Sequence, residues 1–315
     1  MRKSSCLVAV IFALWNCNSL TEPIEIELPN FEKQFAVHAL LLDKDTNLYL
    51  KIDETIGLDE VLLFNTNLNE NLLFDPLIDN PSLDVRISKE DGNEIVFEYL
   101  PNEKRPDNFF GNNYIAHLDK PLGKNVGKLK LSIRGKSLPF AKAEVTMPTL
   151  VPLVSSKLIP NIGDGKHASP FINVDSVDGL NITFWDPKEK ENYYELRIIG
   201  KSKNEESDIL NFYISNYMTS LNPELKGGRS RFYISDKNFN GEEFSFTILL
   251  GLNSVSSESK IVWRSISKEW YEFYTSLSTN SLDQTFTEPN NAYSNIENGS
   301  GVFAVGNEII YPINL

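Results

Sequence analysis

Short alternations of apolar and polar residues run along most of this chain. Ile24-Glu25-Ile26-Glu27-Leu28 is the cleanest of them, stopped by Pro29, and its period of two predicts a strand with one buried face. The same pattern predicts strands over Gln34–Leu42, Asn47–Ile52, Glu60–Phe64, Leu83–Ser88, Glu94–Tyr99, Tyr114–Leu118, Lys128–Arg134 and Leu138–Val145. Asp91-Gly92-Asn93 supplies a hairpin turn between two of these. Met147 to Pro152 holds two prolines and reads as an extended linker. Beyond it, strands are predicted at Leu180–Trp185, Tyr193–Ile199, Ile209–Ser215, Arg229–Ser235, Glu243–Leu250 and Lys260–Arg264. The period changes once, at about 267–278. There Ser267 stands as N-cap and Glu269 favours the first turn. Trp270, Phe273, Tyr274 and Leu277 follow at i, i+3, i+4 and i+7, an aromatic stripe suited to core packing.

So many short strands predict a mainly β chain of two β-sandwich domains, residues 24–147 and 148–315, the second carrying the amphipathic helix. A strand ending in Trp185, the Asp186-Pro187 break and the strand Tyr193-Tyr194-Glu195-Leu196-Arg197-Ile198-Ile199 resemble the opening strands of a fibronectin type III module. The sandwiches are therefore expected to be immunoglobulin/fibronectin III-like. No fixed-period repeat is present, which argues against a solenoid or propeller. After the helix, Asn295, Asn298, Gly299 and Gly301 mark a loop defined by its backbone. Glycine permits positive φ, and asparagine bonds neighbouring amides. The loop reads as a closing piece of the second domain, with partner contact as its secondary role.

The first residues carry an address. Arg2 and Lys3 precede an apolar stretch, Leu7 to Trp15, of signal-peptide length and too short to span a bilayer. Leu14-Trp15-Asn16-Cys17 occupies the place of a lipobox, which makes 1–16 a lipoprotein signal peptide, Cys17 the lipidated residue and 17–23 a tether. A plain cleaved signal is the alternative, but it leaves Cys17 without a role. A diacyl-type anchor would give stable attachment where one chain would not.

Composition narrows the chemistry. Acidic residues outnumber basic ones by 43 to 30, for a net charge of -13, so a nucleic-acid backbone is excluded as partner. The two cysteines, Cys6 and Cys17, both lie in the leading segment, and the three histidines have no metal-ligand spacing. Asp236-Lys237-Asn238-Phe239-Asn240-Gly241 matches the first half of a calcium loop, with Asp236, Asn238 and Asn240 as the ligands. Thr247 stands where the bidentate acid belongs, so a hairpin turn competes with calcium binding. No nucleophile elbow or Ser-His-Asp set is visible, and no cofactor is expected. Asp175-Ser176-Val177 has the form of a bacterial O-glycosylation acceptor at Ser176.

Several segments, in order, carry a family resemblance. They are Ala143 to Pro152; Trp185-Asp186-Pro187 with Glu191-Asn192-Tyr193-Tyr194; Ser235-Asp236 with Phe239-Asn240-Gly241; Ser265 to Tyr271; and Ser294 to Phe303. Together they make the second half resemble the Bacteroidota lipoproteins with domain of unknown function 4249, whose signature is Asn-Ile-Glu-Asn-Gly. Asn240 replaces an Asp of that pattern and Ser300 a Leu. The resemblance implies an outer-membrane, surface-facing lipoprotein encoded beside a TonB-dependent transporter. The expected function is therefore non-catalytic. It is an accessory or binding subunit whose partner is an outer-membrane β-barrel, either a transporter or an assembly barrel. The alternatives are a structural subunit of an assembly or secretion machine, and a surface binder or hydrolase of glycans or peptides.

Overall fold

A computed structural model describes residues 32–55, 82–101, 111–163, 177–188, 190–199, 212–213, 225–228, 231–250, 259–279 and 292–313. Lys33–Thr55 with Leu72–Leu315 forms one compact unit. Met1–Glu32 with Ile56–Asn71 forms a second, which apart from Glu32 lies outside the described residues. The strands expected at Ile24–Leu28 and Glu60–Phe64, the expected lipidation residue Cys17 and the expected glycosylation acceptor Ser176 also lie outside them.

The first half supplies β1 (Phe35–Leu42), β2 (Asn47–Glu54), β3 (Asp84–Lys89), β4 (Glu94–Tyr99), β5 (Tyr114–His117), β6 (Lys128–Arg134) and β7 (Ala141–Thr146). These follow the predicted alternation closely. Phe35, Val37, Ala39 and Leu41 of β1 face inward, and Leu129, Leu131 and Ile133 of β6 do the same. The β3–β4 hairpin turns at Gly92, which has φ 84°, while Asp91 Oδ1 accepts the Asn93 N–H at 2.9 Å.

The second half supplies β8 (Leu153–Gly163), β9 (Val177–Trp185), β10 (Tyr193–Ile199), β11 (Phe212–Tyr213), β12 (Leu225–Gly228), β13 (Arg231–Ser235), β14 (Glu243–Leu250) and β15 (Lys260–Ile266). The helix α1 (Lys268–Thr279) and the long β16 (Gly299–Pro312) follow. The mainly β class holds, with one helix among the described residues. Three strands, β8, β12 and β16, have no counterpart in the predicted pattern. β8 is an edge strand interrupted by a register shift between Leu153 and Ser155, which breaks the period of two. β16 is buried on both faces from Val302 to Asn307, so its residues form a continuous run instead of alternating.

Two sheets result. One has the order β12-β13-β10-β15-β16-β1-β2-β5-β4-β3-β6-β7, the other β11-β14-β9-β8. The small sheet turns Leu180, Ile182, Phe184, Phe246 and Ile248 toward Tyr194, Leu196, Phe232, Ile234 and Trp263 of the large one, a two-layer core. A second core fills the first half, and Phe303 and Val305 of β16 belong to it. Among the described strands, only β1 and β16 pair in parallel, from Phe35–Gly299 to Leu42–Gly306. β16 also pairs antiparallel with β15. The boundary drawn at 147/148 is therefore crossed by a strand from late in the chain.

Candidate functional site

The late loop is built to deliver β16 to β1. Asn295 mimics a strand edge: its Oδ1 accepts the Phe303 N–H at 3.0 Å and its Nδ2 donates to the Phe303 carbonyl at 2.8 Å. Glu297 exchanges two backbone bonds with Lys142 of β7, and Asn298, at φ 55°, donates from Nδ2 to the Phe140 carbonyl at 3.1 Å. At Gly301, φ is 95° and a Cβ would lie 2.0 Å from the Val37 carbonyl oxygen. Asn295, Asn298, Gly299 and Gly301 are thus brought together, but their work is internal. The closing piece expected for the second domain closes the first half's sheet instead, joining β7 to the start of β16, because β16 pairs with β1.

The turn carrying Asp236, Asn238 and Asn240 does not gather those three side chains into a ligand set. Asp236 is fully buried and turned toward Asn192, whose backbone N–H it accepts on Oδ2 at 2.7 Å; Asn238 and Asn240 are exposed. The loop is fixed from its other side by Asp186. This buried carboxylate accepts the Tyr194 hydroxyl on Oδ1 and the Gly241 N–H on Oδ2 at 3.1 Å. Burial, and then the bond to Asp186, raises the Tyr194 phenol far above its ordinary pKa. Asp236 Oδ1 has no hydrogen-bond partner, and burial lifts this carboxyl to about 6, with Asp186 and Glu191 adding to the rise. Among the described residues, no three His, Cys, Asp or Glu side chains form a metal-binding group.

A denser polar constellation lies between α1 and the large sheet. Glu195 of β10 is fully buried, and Arg264 of β15 is 8% exposed. Arg264 Nη1 bonds Glu195 Oε1 at 3.0 Å and its Nη2 lies 2.8 Å from Glu308 Oε2 of β16. The second Glu195 oxygen accepts Trp270 Nε1–H from α1 at 2.9 Å. Burial opposes charge on Arg264, but Glu195 and Glu308 together hold its pKa above the usual value. Next to this network His38 of β1 sits among the rings of Trp270, Phe273 and Tyr274, with Nε2 3.0 Å from the Tyr274 hydroxyl oxygen. Burial, then Lys51 and Arg231, lowers the imidazole to about 4.

The helix stripe packs as expected, with one exchange. Trp270 and Tyr271 are buried, Phe273 and Tyr274 are half-buried, and Leu277 is 42% exposed. Ser267 stands before the helix, but its hydroxyl accepts the Val305 N–H of β16 at 3.4 Å, so it ties α1 to the sheet. Sequence reasoning missed the ionic network entirely. The signal was present in Glu195, Arg197 and Arg264, charged residues inside otherwise apolar strands that need partners once buried. No helix among the described residues is long and apolar enough to cross a membrane.

Comparison with known proteins gives one family. A family model described as "Domain of unknown function (DUF4249)" matches residues 21–309. No curated protein matches the chain. Among solved structures, the chain is similar to a DUF4785 family protein from Legionella pneumophila, at 10% identity and a TM-score of 0.22, covering 74% of this chain and 52% of that one. It thus spans about half the length of the Legionella protein. It is also similar to a mutant of Salmonella alpha-2-macroglobulin, at 10% identity and a TM-score of 0.24, covering 92% of this chain and 15% of that one.

Proposed function

The chain belongs to the DUF4249 family over most of its length, and from that premise we propose that it is a lipid-anchored outer-membrane protein that acts by binding. Its partner in this reading is an outer-membrane β-barrel, a TonB-dependent transporter first, and it faces the cell surface. One observation carries the reading: Leu14-Trp15-Asn16-Cys17 closes a signal-type apolar stretch, and the family match begins at residue 21, just past the cysteine. Acyl chains on Cys17 confine the folded body to the plane of the barrel. That raises its effective concentration there, so modest contacts suffice for association. Two buried acids that could otherwise serve catalysis are held in structural bonds, Asp186 with Tyr194 and Glu195 with Arg264 and Trp270, which supports binding as the mode of action.

Two measurements test the proposal. Cys17→Ala should move the protein from the membrane to the soluble fraction, and unchanged retention in the absence of a barrel partner would remove the anchor from the account. Affinity capture of the tagged wild type from solubilised outer membranes should bring down a β-barrel protein. Recovery of none would sink the partner reading, and recovery of an assembly barrel would replace the transporter.

A further inference from the structure

The charges beneath α1 are segregated along the sheet. Tyr233, Glu195, Arg264 and Glu308 form a row across β13, β10, β15 and β16, each directly opposite the next. The β10–β13 register, with Leu196 opposite Phe232, brings the following residues, Arg197 and Arg231, face to face. Like charges placed opposite each other in a sheet destabilise it. Glu195 acts on both, but it is shared with other donors. Glu195 gives one oxygen to Arg264 and the other to Trp270, and stays 4.0 Å from Arg197 Nε. The Arg231 guanidinium lies 5.9 Å from the Tyr274 ring centroid. Two further acids sit at the opposite end of the row, where Asp43 Oδ1 accepts the Glu308 N–H at 2.9 Å and Asp45 lies beside Glu308. Burial, then the charges of Arg264 and Arg231, pulls the Arg197 pKa below its ordinary value.

An independent observation comes from Tyr233. Its side chain is buried, and its hydroxyl lies beside the Arg231 guanidinium, a donor only, with no acceptor for its own proton. We propose that Arg197, Arg231 and the Tyr233 hydroxyl form a binding site for an oxyanion, a phosphate or carboxylate group. A guanidinium offers only donors, in a fork that matches two oxygens of such a group, and a tyrosine hydroxyl can donate a third bond. An anion between the two guanidiniums offsets their repulsion and accepts the Tyr233 hydroxyl proton at once; a neutral acceptor or a water does only the second. Arg197, with 20% of its side chain exposed, gives the ligand its route from solvent. This site stands whether or not the chain is lipid-anchored.

The test uses the purified full chain, titrated calorimetrically with inorganic phosphate and separately with succinate at constant ionic strength set by chloride. Saturable binding of either anion to the wild type is expected, and the anion that binds identifies the group. Arg197→Gln/Arg231→Gln should weaken it roughly a hundredfold and Tyr233→Phe about tenfold, as loss of charge-assisted bonds implies. Without anion, the double variant should melt no lower than the wild type, since a repulsion has gone. Should that variant fail to fold, Arg231→Lys, which keeps the charge and loses the fork, and Tyr233→Phe carry the test. Equal binding by wild type and variants, or no effect beyond that of chloride, would overturn the proposal.

Discussion

Gly301 is the position where backbone geometry rules out a side chain most plainly. Alanine there has to adopt φ near 95° and place a Cβ 2.0 Å from the Val37 carbonyl oxygen, so β1 and β16 must separate locally. Gly301→Ala should therefore cost about 3 kcal/mol or more, read as a lowered urea midpoint with an unchanged slope. A loss under about 0.5 kcal/mol would mean the pairing yields without cost. What could be read at this scale was the chemistry of single residues. Glycines and asparagines at 295–301 announced a loop set by its backbone, because αL and side chain–backbone bonds are local properties. Their partners, Phe140, Lys142 and Val37, lie far away in the chain and left no local trace. The same applies to Asp236: its motif was visible, while the inward turn toward Asn192 depends on a loop residue 44 positions away.

At the scale of elements, α1 and β1 meet around His38, which makes their contact sensitive to pH. The imidazole is lowered to about 4, so between about pH 6.5 and pH 4 the unfolded chain binds a proton that the folded one does not. Stability from this group is therefore constant above about pH 6.5 and falls as pH drops, by about 2 kcal/mol at pH 5. Asp236, raised to about 6, works in the opposite direction: its neutral form favours the folded state as pH falls through 6. Urea unfolding at pH 7.5 and pH 5 of wild type and His38→Gln separates the two. The variant should lose less stability on acidification, by about that amount, and identical pH slopes would show that His38 titrates freely. Elements with one wet face were legible, as Glu94–Tyr99 and Lys128–Arg134 show by matching their predicted bounds. β16 was not, since a strand wedged between the first-half core and α1 is dry on both sides and flanked by glycines. α1 was legible because its aromatic spacing is a local period.

For the whole molecule, the order of the chain and the order of the sheet disagree, and that disagreement hid the architecture. A division at 147/148 follows naturally from the prolines, but Phe303 and Val305 complete the first half's core, and Glu308 bonds Asp43 across 265 residues. Residues 24–147 expressed alone should consequently lack cooperative unfolding, and fusing residues 292–313 to that piece should restore it. Sharp, two-state unfolding of the bare piece by circular dichroism would contradict this. Such distant pairing also slows folding, since the entropy of closing a long loop is lost before β1 gains its neighbour. The parallel direction of that pairing has a mechanical side. Tension entering through the segment before β1 and leaving through the segment after β16 pulls the two strands along their length in opposite directions. Every bond from Phe35–Gly299 to Leu42–Gly306 is then loaded at once in shear, where a hairpin would open one bond at a time. Under such a pull the β1–β16 seam would resist as one unit, its bonds sharing the load.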